Sequence, residues 1–237
     1  QIDANNLAGM SLSVGVFIVI MLFFAGIGTA LIANLSRSYA VKDYKQIKGD
    51  SQQGVYLFLI LSIIPTLLFI NNGFIFNDLA LEDATKQIAS DYLRILGYVF
   101  PIIVLIYVFR PVMQTFGKNK ILMMISGVMF FVNIPLNYVL IYGFGPIPAM
   151  DAIGSAYSTA ICFVLEVLGF YLYTKRHDHM DVLNGFVKVN WPRVRSILFL
   201  GIPVGLAIVM EVGLFTLITF LLTDYGEEVV GTHHLAS

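Results

Sequence analysis

Charge is scarce in this sequence. Only 12% of its 237 residues are Asp, Glu, Lys or Arg, against roughly 25% in soluble domains, so a chain solvated by water on every side is excluded. Cysteine is all but missing. The lone Cys162 rules out an intrachain disulfide framework and a cysteine-rich metal site. Of the four histidines, His233 and His234 are adjacent and would point in different directions on a helix, a poor pair for a metal. There is no Ser/His/Asp set, zinc signature or phosphate loop, which argues against an enzyme, and no patch suited to nucleic acid.

What is abundant is apolar length. Hydrophobic residues make up 58% of the chain, and they gather in windows long enough to cross a hydrocarbon core of about 30 Å as helices. Leu7 to Ser36, Ser51 to Asn77, Ile95 to Phe109 (extended backward through Tyr92) and Ile121 to Met150 carry no interior charge apart from that backward extension. Ala152 to Thr174 is interrupted only by Glu166, and Ser196 to Thr223 only by Glu211. None alternates like a barrel strand. The expected fold is all-α, a polytopic transmembrane helical bundle of six spans.

Charge placement orients the spans. Arg37, Lys42, Lys45 and Lys48 fall in residues 37–50; Arg110, Lys118 and Lys120 in 110–120; Lys175, Arg176, Lys188, Arg193 and Arg195 in 175–195. These connections hold every basic residue except Lys86 and Arg94 and are read as cytoplasmic. The alternate connections carry Asp78, Glu82, Asp83, Asp91, Asp151, Asp224, Glu227 and Glu228 and face outside. Six spans entered from outside place Gln1 outside as well. Since Gln1 is not an initiator and residues 1–6 are no signal peptide, at least one further span is expected before it, and another helix beyond Ser237.

The longest polar stretch inside the spanning region, His177 to Arg195, marks the expected boundary between bundles. Residues 1–176 then contribute five helices of one bundle, 177–195 a cytoplasmic linker, and 196–237 the first helix of a second bundle with the approach to the next. Pro192 suits a helical first turn. Pro65, Pro101, Pro135 and Pro203 lie within spans, where each removes a backbone hydrogen bond. Pro135 and Pro203 are the positions expected to bend their helices. Gly201 and Gly205 form a GxxxG packing face, and Gly26 with Gly28 offers another narrow surface.

Three polar features stand out within the spans. Glu211, deep in the last one, costs about 2.5 to 3.5 kcal/mol to insert and reads either as a cation or proton site or as a protonated carboxyl hydrogen-bonded in the bundle. Glu166 is at similar depth, among apolar neighbours, with the same functional reading beside a neutral structural carboxyl or a contact on a span outside this segment. Asn133 and Asn137 flank Pro135 at i, i+4 spacing, on one helix face. Counting inward from the outer side brings Asn137 level with Thr159 on the next helix, an arrangement that could line an oxygen-rich pocket or simply bind helices together.

The segments FVNIPLNYVLIYG and AIGSAYSTAI, with LFLGIPVGLAIVMEVGLF and the closing VVGTHHLAS, resemble the NorM-like branch of the multidrug and toxic compound extrusion (MATE) family. The resemblance implies a twelve-helix, two-bundle transporter of which this chain covers about helices 2 to 7. It also implies export of lipophilic cations by alternating access, coupled to Na⁺ or H⁺. By matching position, Glu211 resembles the second-bundle acidic residue, and Asn133, Asn137 and Thr159 resemble polar members of the first-bundle cation site. The family's helix-1 aspartate has no counterpart here, and Arg37-Ser38-Tyr39-Ala40-Val41 departs from the usual Gln-x-x-Gly-Ala loop.

The resulting expectation is a multi-pass protein of the cell (inner) membrane, monomeric when full length, without cofactor and with no metal beyond Na⁺ at the coupling positions. Alternatives are a lipid-linked precursor flippase of the same superfamily, which would favour cationic cavity residues, and a membrane-embedded enzyme. The spans as read from the sequence contain no cationic residue facing a cavity.

Overall fold

Hydrocarbon offers backbone N–H and C=O groups no partner, so uncharged apolar runs of this length satisfy themselves as helices. A computed structural model of the chain describes residues 4–77, 81–177, 179–183, 185 and 187–222. Eight helices are described: α1 (Ala4–Ala40), α2 (Tyr44–Ile70), the single turn α3 (Gly73–Phe76), α4 (Asp83–Ile103), α5 (Ile106–Thr115), α6 (Asn119–Tyr142), α7 (Asp151–Lys175) and α8 (Trp191–Leu222). With α4 and α5 counted as one rod, six helices are long and apolar enough to cross a membrane. His233, His234, Asp224, Glu227 and Glu228 lie outside the described residues, as does Asp78.

The basic connections are shorter than the charge pattern suggests. Between α1 and α2 only 41–43 are non-helical, and Asp43 caps α2 by accepting from the Gln46 backbone N–H at 2.9 Å. Arg37, Lys45 and Lys48 therefore ride on helix ends. Likewise, α8 starts at Trp191, so the last five residues of the expected 177–195 linker are helical. Charged side chains are adequate helix formers, and a helix can run past the membrane boundary until a true terminator arrives.

The largest correction concerns Arg110. It is not in a loop but inside α5, which continues through Pro111 to Thr115 and ends only where Gly117 takes a φ of +68°. The expectation that the spans contain no cationic cavity residue fails with it. The rod breaks instead at Val104 and Leu105, three residues after Pro101, where Leu105 N–H turns back to Ile102 O at 3.1 Å. Pro135 and Pro203 lie inside α6 and α8, which remain continuous helices across them.

At the centre is α1, which packs against α2, α4, α5 and α8. Its aromatic residues build the core with α2 and α4: Phe24 and Phe100 meet edge to face at 5.4 Å, Phe69 and Phe100 at 5.2 Å. Ser13 Oγ donates to Ala89 O at 2.7 Å, tying α1 to α4. The α1–α8 crossing is the close approach expected from the glycines. A Cβ on Gly26 would overlap the Gly205 backbone, and one on Gly201 would meet Ile27 Cα. Helix α6 is peripheral, with no buried residue, and leans on α7 with its start near α5.

Candidate functional site

Because α6 touches the bundle along one side only, a cavity of about 330 Å³ with polar groups set in a largely apolar wall stays open between α5, α6 and α7. Arg110, Ser126, Asn133, Thr159, Cys162 and Glu166 line it with Met129, Phe130 and Phe163. Gly154 sets the spacing of its walls. A side chain there would overlap the Leu140 carbonyl, so glycine lets α7 lie directly on the α6 backbone.

The inner part of the cavity is ionic. Arg110 Nη2 donates to Glu166 Oε1 at 3.0 Å, and Ser126 Oγ donates to the same oxygen at 2.6 Å. The Glu166 side chain is 8% exposed and that of Arg110 40%, so the carboxylate is the member that depends on its partners. The arginine is partly exposed; among the described residues only Arg110 and Ser126 compensate the glutamate, and charge-assisted bonds to a buried acceptor are the stronger kind. Glu166 is thereby accounted for within the chain, by an arginine assigned to a loop in the sequence and by a serine one helix away.

A neutral cluster adjoins it. Asn133 Nδ2 donates to Ser158 Oγ at 3.1 Å and approaches Cys162 Sγ at 3.6 Å, while its Oδ1 accepts from Asn137 Nδ2 at 2.7 Å. Asn137 Oδ1 is buried and has no hydrogen-bond partner among the described residues. The expected i, i+4 asparagine pair thus forms, and Asn133 shares the cavity lining with Thr159. Asn137 bonds Asn133, and the α7 hydroxyl in direct contact with Asn133 is Ser158. Glu211 belongs to neither cluster. It lies in the interior of α8 with an exposed side chain.

Sequence reasoning missed Arg110, Ser126, Ser158 and Cys162 as lining or contact groups. One signal for Arg110 was available: Pro-Val-Met follows it, so the apolar pattern does not stop there.

A model of the MatE family matches residues 1–139. The chain belongs to the MatE family. It is 27% identical over 239 residues to the probable multidrug resistance protein NorM of Acinetobacter baylyi, covering 100% of this chain and 53% of that protein. To the multidrug resistance protein NorM of Aliivibrio fischeri it is 29% identical over 238 residues, with 99% and 52% covered. This MatE chain spans about half the length of the curated relatives it matches, and the expected resemblance to the NorM-like branch is borne out. Its fold is that of solved MATE transporters. It matches an outward-facing MATE multidrug resistance transporter of the MOP superfamily with a TM-score of 0.81 at 24% identity, over 99% of this chain and 52% of that one. For an inward-facing conformation the TM-score is 0.77 at 24% identity, over 95% and 51%.

Proposed function

We propose that this chain is part of a cation-coupled multidrug efflux antiporter of the cell membrane, exporting lipophilic cations by alternating access in exchange for Na⁺ or H⁺. The observation that carries the reading is the cavity between α5, α6 and α7, where a MatE-family chain lines the interior of its spans with Asn133, Thr159, Ser126 and an Arg110–Glu166 pair. Polar groups held at that depth cost insertion energy and mark ion or substrate paths. Asn137 Oδ1, buried and unpartnered among the described residues, is the oxygen a coupling cation would take up, with Asn133 as its neighbour.

Glu211 is proposed as the acidic coupling group of the second bundle, and Pro135 and Pro203 as the points at which α6 and α8 bend during the cycle. Both coupling positions act by binding the cation better in one of the two states, since only differential affinity can bias an equilibrium. The full-length protein is proposed to work as a monomer. The similar match of these helices to outward- and inward-facing structures supports a half that keeps its packing while access alternates.

A lipid-linked precursor flippase is the second reading, and Arg110 is the observation that favours it, being the cationic cavity residue such a substrate would need. Its pairing with Glu166 at 3.0 Å neutralises that charge and weighs the balance toward cation export. The test is ion-coupled efflux of a cationic dye from cells expressing the full-length protein. Glu211→Gln should abolish the coupling, and unchanged efflux would remove Glu211 from the mechanism.

A further inference from the structure

Lysines from two separate spans meet at the cytoplasmic end of the bundle. Lys45 and Lys48, near the start of α2, and Lys175, the last residue of α7, line a cavity of about 440 Å³ together with Tyr44, His177 and His179. Ring stacking builds its walls. Tyr44 lies on His179 at 4.1 Å and 12°, and Tyr173 on His177 at 4.1 Å, with His177 Nδ1 2.8 Å from Tyr173 O. Asp181 is the only carboxylate among the described lining residues, and no described carboxylate forms an ion pair with any of the three lysines.

An apolar track leads to the same place. On α7, Ile161, Leu165, Leu168 and Leu172 are all exposed, 38% to 45%. Their spacings of four, three and four residues, followed by three more to Lys175, keep all five positions within a sector about 80° wide at 3.6 residues per turn. Ile161 and Leu165 also border an apolar groove of about 340 Å³ between α4 and α7. A stripe running along a span and ending among ammonium groups at the membrane boundary has the polarity of an amphiphile with a negative head.

We propose that this cavity binds the phosphate headgroup of an anionic phospholipid, with an acyl chain lying along the α7 stripe. Lys45, Lys48 and Lys175 supply the charge, and the stacked Tyr44 and His179, with His177 held against Tyr173, fix the shape of the site. Juxtamembrane lysines attract anionic lipid generally; here three of them, from the ends of two helices, converge on one cavity, and Lys175 shares its helix sector with the apolar stripe, which sets a bound lipid apart from a diffuse cloud of them.

The experiment is native mass spectrometry of the full-length protein titrated in detergent with phosphatidylglycerol or phosphatidylcholine. Phosphatidylglycerol should be retained at least about tenfold better, and each of K45Q, K48Q and K175Q should weaken it roughly fivefold. The triple Lys→Arg variant should keep binding and so separates loss of charge from loss of fold. Leu168→Gln with Leu172→Gln should weaken phosphatidylglycerol with all lysines in place. Equal retention of the two lipids, or retention unchanged in the triple Lys→Gln variant, overturns the site. Displacement of the lipid by millimolar inorganic phosphate would assign the cavity to free phosphate instead and also overturn the proposal.

Discussion

Arg110 on α5 meets Glu166 on α7 at 3.0 Å, joining two spans through one ion pair whose carboxylate is 8% exposed. Removing the arginine leaves that carboxylate buried with Ser126 as its one partner among the described residues. Arg110→Ala should therefore destabilise the full-length protein by about 3 kcal/mol, the low end for a broken buried pair because the arginine is partly exposed. Replacing both partners with leucine should cost less than either single change. Thermal unfolding in detergent checks this; a double variant as unstable as the sum of the singles would show that the pair is not coupled.

The crossing of α1 and α8 depends on two glycines in backbone contact, Gly26 and Gly205. Gly205→Leu has no room, since the Phe23 carbonyl oxygen and ring lie against that position as well. Forcing a side chain into a packed contact costs about 1 to 3 kcal/mol, so the melting temperature should fall and the yield of folded protein with it. Gly213→Ala, on the same helix with nothing within 4 Å of the added carbon, should be neutral and serves as the control.

Two glutamines hold the connection between α7 and α8. Gln53 donates from Nε2 to Lys188 O at 3.0 Å and accepts from Asn190 N–H at 2.9 Å, while Gln52 bonds Gly185 O and Val187 N–H in the same fashion. Asp50 adds an ion pair to Arg193 at 2.8 Å. Gln53→Ala removes two bonds worth about 1 kcal/mol each, so trypsin should cut after Lys188 roughly tenfold faster or more. Cleavage at the wild-type rate would mean that the glutamine does not restrain the strap.

Much of the fold was legible because membrane constraints act on composition. The six apolar windows, their sided charge and the Gly201/Gly205 face follow from hydrocarbon thickness and from the close approach of helix backbones, both of which sequence spacing records. The Asn133–Asn137 pair was legible for the same reason, as i, i+4 neighbours. Arg110 was not. A charged residue beside an apolar window looks like its end, and only packing against Glu166 reveals that the helix carries the charge inward. The glutamine clamp was equally hidden, since Gln52 and Gln53 pair with backbone more than 130 residues away, and neither spacing nor hydropathy encodes such a contact. Counting residues inward paired Asn137 with Thr159, yet depth alone does not fix rotation about the helix axis; the side-chain contact between α6 and α7 runs from Asn133 to Ser158.

Ion-driven transport by the full-length protein in proteoliposomes tests the account most directly. Uptake of a lipophilic cationic dye, driven by an imposed Na⁺ or proton gradient, should fall at least about tenfold in Asn137→Ala, a change on the scale of one coupling interaction, while dye binding at equilibrium is retained. Dye movement that ignores both gradients, or that proceeds in Asn137→Ala as in the wild type, would contradict a cation site at the α6 asparagines.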